Sequence, residues 1–273
     1  MKARLAFAVA LLALLSVIAP AARAETPEQS YAAAFAALHK GADNAAIDRL
    51  ELLADQGVVN ADASLLRAAA YLARADGTAA QPGDLGRAAA ALNEVLLLRP
   101  SDREAERALE AVQAEIARRH SKQQESVVVR PRLSRAIVTL LPEQLWAGLA
   151  LLSAVAVTLG VLVRRLAKAS LPRLTGTVAI SVGSALGLVF ASGAYAAEQF
   201  RVSSQPAVVV VPEARLTNET GRPLPSKRGA DTTSVPEGAT VYVRERRDDR
   251  CLVEWGSTDG WLRLSEVRLL ATR

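Results

Sequence analysis

The chain has 273 residues, a formal net charge of +5, 51% hydrophobic residues, one cysteine and two histidines. The single thiol, Cys251, excludes an internal disulfide framework, so any soluble part must fold on packing alone. The excess of cations does not call for nucleic acid, because several flank apolar stretches, where snorkelling and anionic lipid account for them.

The chain opens with Lys2 and Arg4, an apolar run from Leu5 to Ile18, and the small-x-small site Ala22-Arg23-Ala24. This pattern predicts a secretory signal over 1–24, cut before Glu25 or retained as an anchor. Either way, the residues that follow are expected outside the cytoplasm. No cysteine follows the apolar run at a lipoprotein-like position, so lipid anchoring is not expected.

Residues 25–120 are rich in Ala and Leu with helical periodicity. Five helices are predicted, over 27–40, 42–56, 62–75, 84–98 and 102–119, with Thr26 and Pro27 starting the first. A repeat runs through them. Ala34 recurs 34 residues later as Ala68, while Gly41, Ala46 and Leu50 recur 42 residues later as Gly83, Ala88 and Leu92. The excess of eight residues predicts an insertion within Ala73–Pro82. A helix–turn–helix unit of this period resembles the tetratricopeptide repeat. Small residues at Ala34, Ala46, Ala68 and Ala88 let helices approach, the turn glycines are Gly41 and Gly83, and Tyr71, Leu92 and Pro100 fall on further repeat positions. Arg67 departs from the pattern, standing where Leu is usual. The same periodicity also fits an Ala-rich helical bundle. A short solenoid would hold peptides or partner helices on its concave face. Arg67, Arg74 and Arg87 are expected to be solvated, or to face a partner's carboxylate.

Residues 121–144 read as a linker and juxtamembrane segment, containing an amphipathic stretch at 133–141. Leu145–Val163 and Leu174–Ala197 follow, two apolar stretches without a charged residue and each long enough to cross a bilayer as a helix. The loop 164–173 carries Arg164, Arg165, Lys168 and Arg173 and is placed in the cytoplasm. The regions before and after the hairpin are thus both expected on the same side, outside the cytoplasm. Ala179, Gly183, Gly187 and Ala191 form a small-residue stripe for helix packing, within the hairpin or against another membrane protein. Neither stretch carries an ionisable group for transport or proton relay.

Residues 205–273 turn to Val, Thr, Gly and Pro, with strands expected over 207–211, 238–245 and 251–255 and turns at Arg246–Arg250 and Asp259-Gly260. A small all-β SH3-like barrel suits this spacing. The order Val235-Pro236-Glu237-Gly238, Leu252-Val253-Glu254-Trp255 and Asp259-Gly260-Trp261-Leu262 is similar to the bacterial SH3 pattern, with the early Arg215-Leu216-Thr217-Asn218 turn degraded. Tyr242, Trp255 and Trp261 are candidates either for a ligand face or for the barrel core. Catalysis is not expected. His39, His120 and Cys251 show no metal-ligand spacing, and no phosphate-cradling loop or nucleophile elbow is present, so no catalytic residue, metal or cofactor is assigned.

The order of signal, tetratricopeptide-like region, two spans and bacterial SH3-like domain resembles the BatE-type proteins of bacterial aerotolerance operons. Gly57-Val58-Val59-Asn60-Ala61-Asp62, Gly83-Asp84-Leu85-Gly86-Arg87-Ala88 and Gln205-Pro206-Ala207-Val208-Val209-Val210 carry the likeness. The resemblance implies a membrane complex with von Willebrand factor A domain proteins, work beside a MoxR-type ATPase, and a link to oxidative or envelope stress. The expected location is a bacterial inner membrane with both flanking regions periplasmic, and two functions are expected. One is a non-enzymatic scaffold that presents interaction domains to other membrane or periplasmic proteins. The other is an envelope-binding module that holds peptidoglycan through the SH3-like domain. Membrane lipid is expected as a partner of either.

Overall fold

The computed structural model describes residues 25–120, 133–138, 140–225 and 233–270. The expected signal and the linker 121–132 lie outside the described residues. Five helices form the N-terminal region: α1 (Pro27–His39), α2 (Asp43–Asp55), α3 (Ala61–Asp76), α4 (Asp84–Leu98) and α5 (Arg103–His120). Their starts follow from local chemistry. Thr26 and Gln29 close a reciprocal capping box over Pro27 at the first turn of α1. The Asn60 side chain accepts the Asp62 N–H at 2.8 Å at the start of α3. The expected insertion lengthens α3 to Asp76 and leaves a loop from Gly77 to Gly83.

Each helix packs on the next. Ala34, Ala46 and Ala88 are fully buried, together with Leu50, Ala70 and Tyr71, in one core. Alanine at these places removes side-chain bulk, so the helix backbones close on one another. Pro100, expected to pack, lies exposed in the turn between α4 and α5, where it only prevents helix continuation.

A short helix, α6 (Leu133–Val138), precedes α7 (Glu143–Leu166) and α8 (Ser170–Ser203). The last two form an antiparallel hairpin, with mean hydropathy of 2.2 and 1.8 in their most apolar windows. Both are long and apolar enough to cross a membrane. Only 17% and 11% of those windows is buried, whereas a core helix of a soluble protein would bury most of its apolar surface. Only Ala167–Ala169 separates the two helices, so the expected ten-residue loop is mostly helix end. The expected stripe packs through Ala179, which meets Gly160, and through Gly183, and departs from expectation beyond them. Gly160 and Gly176 face each other, Gly183 meets Val157, and Gly193 lies under the Trp146 ring, while Ala191 is exposed. Gly187 only grazes Ser153.

The C-terminal region is a small antiparallel domain. Strands β1 (Gln205–Val209), β4 (Thr240–Arg247), β5 (Arg250–Trp255), β6 (Thr258–Arg263) and β7 (Val267–Leu269) form one sheet in the order β6-β5-β4-β1-β7. A separate pair, β2 (Glu213–Arg215) and β3 (Ser234–Pro236), fills the long connection after β1. The tight turn expected at Asp259-Gly260 is instead at Gly256-Ser257; Gly260 sits within β6, where Leu216 packs against its bare Cα. The β4–β5 turn is Asp248-Asp249, with Asp248 at φ 53°.

Two continuities join these parts. α8 ends at Ser203 and β1 begins at Gln205, so only Ser204 lies between an apolar helix and a central strand. β1 also rests on the helical region. Val208, Val210 and Leu270 share one core with Ala89, Leu92, Val112 and Ile116. The helical and strand-rich regions are therefore one packed body.

Candidate functional site

The interface between helices and sheet is built around bare backbone. Gly83 takes φ +88° at the start of α4, against the Val210 carbonyl. A Cβ on Gly86 would lie 2.7 Å from the Val209 carbonyl oxygen. Glycine at both places lets the first turn of α4 lie directly on the end of β1. That turn exposes unpaired N–H groups and the positive end of the helix dipole. Glu237, 8% exposed in the turn before β4, answers both, its Oε1 accepting the Gly86 N–H at 2.7 Å. Gly238 (φ +73°) follows, with the Ile116 side chain against its Cα. Arg268 of β7 adds a second link, donating toward Glu51 at 3.0 Å and Asp55 at 3.5 Å on α2.

Behind this interface lies a buried charge cluster. Arg67 and Arg74, expected at the surface, are 3% and 6% exposed. Arg67 pairs with Glu94, whose carboxylate also accepts the Ser64 hydroxyl at 3.0 Å. Arg74 grips Asp84 through Nε at 3.1 Å and reaches Asn44 at 2.9 Å. Arg87 is half-buried near the same Asp84 at 3.5 Å. Arg67 and Arg74 are satisfied by the chain's own carboxylates, which removes them as partner contacts, whereas Arg87 keeps about a third of its side chain exposed. The Tyr71 hydroxyl donates to Glu51 at 2.8 Å; its pKa is raised by burial first and by the Glu51 carboxylate second.

The aromatic candidates of the sheet domain are separately engaged. Trp261 is 9% exposed, lies under the Arg247 guanidinium at 5.4 Å, and is bridged through its backbone to Thr217. Trp255 is half-buried against the sheet core, and its indole N–H has no acceptor among the described residues. Tyr242 is covered by Arg135 at 3.7 Å from its ring centroid. Cys251 is fully buried, and burial pushes its thiol up to about 11. That state is inert as a nucleophile at neutral pH.

Arg135 and Glu254 form a node that sequence reasoning missed. Arg135 of α6 lies over Phe200 of α8 at 4.9 Å and over Tyr242 of β4, and donates to Glu254 of β5 at 3.2 Å. Glu254 is 2% exposed and is also held by Arg244. The visible signal was an acid inside the apolar run Leu252-Val253-Glu254-Trp255, which requires a cation nearby. Beside this node the end of α8 and β4 line an open cavity of about 400 Å³ whose wall includes Arg201, Arg244 and Arg246. Glu143 at the start of α7 bridges Arg201 near the end of α8 at 2.9 Å. The chain therefore enters and leaves the hairpin at one end, beside the sheet domain. No protein-family model matches the chain, and neither a curated protein nor a solved structure matches it.

Proposed function

We propose that this protein is a non-enzymatic membrane-anchored scaffold that presents one rigid interaction body on the periplasmic side of a bacterial inner membrane. The observation that carries this reading is the shared core of helices and sheet, set at the end of the hairpin where Glu143 meets Arg201. On this reading α7 and α8 span the bilayer, and their outward leucines and valines face lipid. The spacing of the buried alanines supports tetratricopeptide-like units. The pairing of β7 with β1, after a single 3₁₀ turn at Leu264–Glu266, supports an SH3-like barrel. The resemblance to BatE-type proteins supports von Willebrand factor A domain proteins as partners, with a MoxR-type ATPase reached indirectly across the membrane. The envelope-binding alternative draws less support, because Trp261 and Tyr242 are covered by Arg247 and Arg135.

Affinity purification of the full chain from its own membranes tests the scaffold. Recovery of von Willebrand factor A domain proteins in comparable amount is expected, and their absence after mild cross-linking would remove the reading. Sidedness is checked with single cysteines on a Cys251→Ser background. A cysteine replacing exposed Thr220 is expected to react with an impermeant maleimide in intact spheroplasts, and one replacing Lys168 only after lysis.

A further inference from the structure

We propose that the cavity between the end of α8 and β4 holds the phosphate headgroup of an anionic phospholipid. The inference rests on the membrane-spanning reading and adds a specific lipid contact to it.

The depth is right. The uncharged stretch of α8 ends at Ala197, and Arg201 follows four residues later. At about 1.5 Å per residue this places Arg201 roughly 6 Å beyond the hydrocarbon edge, where headgroup phosphates lie. Val202 lines the same cavity and is 73% exposed, so an acyl chain can continue past it along α8.

The chemistry is also right. In a regular strand Arg244, Glu245 and Arg246 would alternate between faces. The pairing of β4 with β5 slips between Val243 and Glu245, a bulge that breaks this alternation, and Arg244, Glu245 and Arg246 all line the cavity. The Glu245 carboxylate is turned to Arg247, which donates to it at 2.9 Å. Arg201 and Arg244 have internal carboxylates, Glu143 and Glu254. Among the described residues Arg246 is held only by the Gln205 amide, through Nη2. Among the described residues, Nη1 of Arg201 and both Nε and Nη1 of Arg246 donate to no protein acceptor. Guanidinium N–H groups left free in this way can donate charge-assisted hydrogen bonds to phosphate oxygens. The volume of about 400 Å³ suits a headgroup.

The test uses the full chain in nanodiscs of phosphatidylcholine, alone or mixed with phosphatidylglycerol, followed by native mass spectrometry of retained lipid. The wild type is expected to retain phosphatidylglycerol in preference. Arg246→Gln should lower that retention about fivefold, the equivalent of one cation near a lipid surface. Arg201→Gln combined with Arg246→Gln should lower it further. Arg246→Lys and the distant Arg222→Gln should leave it largely intact, and they separate charge at the cavity from misfolding and from net charge. Equal retention in Arg246→Gln and wild type would overturn the proposal. So would a rise in unfolding temperature with inorganic phosphate as large as that with phosphatidylglycerol, which would make the cavity a free-anion site. Entry into phosphatidylcholine discs without preference for phosphatidylglycerol would overturn this inference and leave the membrane reading standing. Failure to enter any disc would overturn both.

Discussion

Glu237 of the sheet domain caps the first turn of α4 in the helical domain, its carboxylate accepting the Gly86 N–H at 2.7 Å across 151 residues of sequence. A cap supplied from another domain makes helix stability and domain docking one quantity. The same first turn carries no side-chain cap of its own, since Gly83 occupies the capping position.

Glu237→Ala should therefore destabilise the protein by about 1–2 kcal/mol, by stranding a buried N–H and the helix dipole. Glu237→Gln keeps an acceptor oxygen and should lose less. Thermal unfolding of the full chain in detergent checks both. Equal stability of Glu237→Ala and wild type would show that the cap contributes nothing.

Gly86→Ala inverts an ordinary expectation. Alanine within a helix normally stabilises by about 1 kcal/mol relative to glycine. Here its Cβ would meet the Val209 carbonyl oxygen at 2.7 Å and the Val210 Cα at 3.0 Å. A loss of about 1–3 kcal/mol is expected from the backbone shift this forces. Gly148→Ala, where nothing lies within 4 Å, should be neutral or stabilising. Hydrogen exchange of β1 amides in Gly86→Ala should rise along with the stability loss.

Arg67 and Glu94 form a buried pair, so removing one partner leaves the other charged and enclosed. Arg67→Leu alone should cost about 3–5 kcal/mol, whereas Arg67→Leu with Glu94→Met should recover much of it. A double-mutant cycle on denaturant unfolding measures the coupling. Additive losses would mean that the pair is not coupled in solution.

Cys251 should resist alkylation in the folded protein. At pH 8 a thiol raised from 9.0 to about 11 holds roughly a hundredth of the ordinary thiolate fraction, and burial slows access further. Labelling should become fast on unfolding. Because the folded state keeps this proton more tightly, its contribution to stability is complete below pH 9 and declines as pH rises toward 11. Rapid native-state labelling at pH 8 would contradict the burial.

The five N-terminal helices, the two apolar helices and the strand-rich end were legible because each depends on local periodicity. Ala34, Ala46, Ala68 and Ala88 announced the helix contacts through their size alone. What remained hidden depends on distance along the chain. Arg67 and Arg74 look like surface cations until Glu94 and Asp84 are folded against them, since sequence shows charge and not its neighbour. Glu237 read as part of a strand motif, and nothing local shows that its carboxylate reaches α4. Ala191 continued a four-residue rhythm, but a helix turns 3.6 residues per turn, and the stripe drifts away from it toward Gly193. α7 and α8 run past the apolar stretches 145–163 and 174–197 at both ends, because helix propensity continues through Arg164, Arg165 and Arg201.

The junction at Ser204 gives the second apolar helix a mechanical meaning. α8 is a 34-residue rod, and it passes into β1 through one residue. Ser204 is itself tied back, its N–H and hydroxyl both reaching the Phe200 carbonyl. Such a rod is about 51 Å long, so a tilt of about 10° swings its far end by roughly 9 Å. In a membrane, tilt follows the match between helix length and bilayer thickness. The soluble body would then lean with the bilayer, its attitude set by lipid thickness as a mast is set by its deck. Distances by electron spin resonance between the sheet domain and the membrane surface, taken in bilayers of graded chain length, are expected to change in steps with thickness.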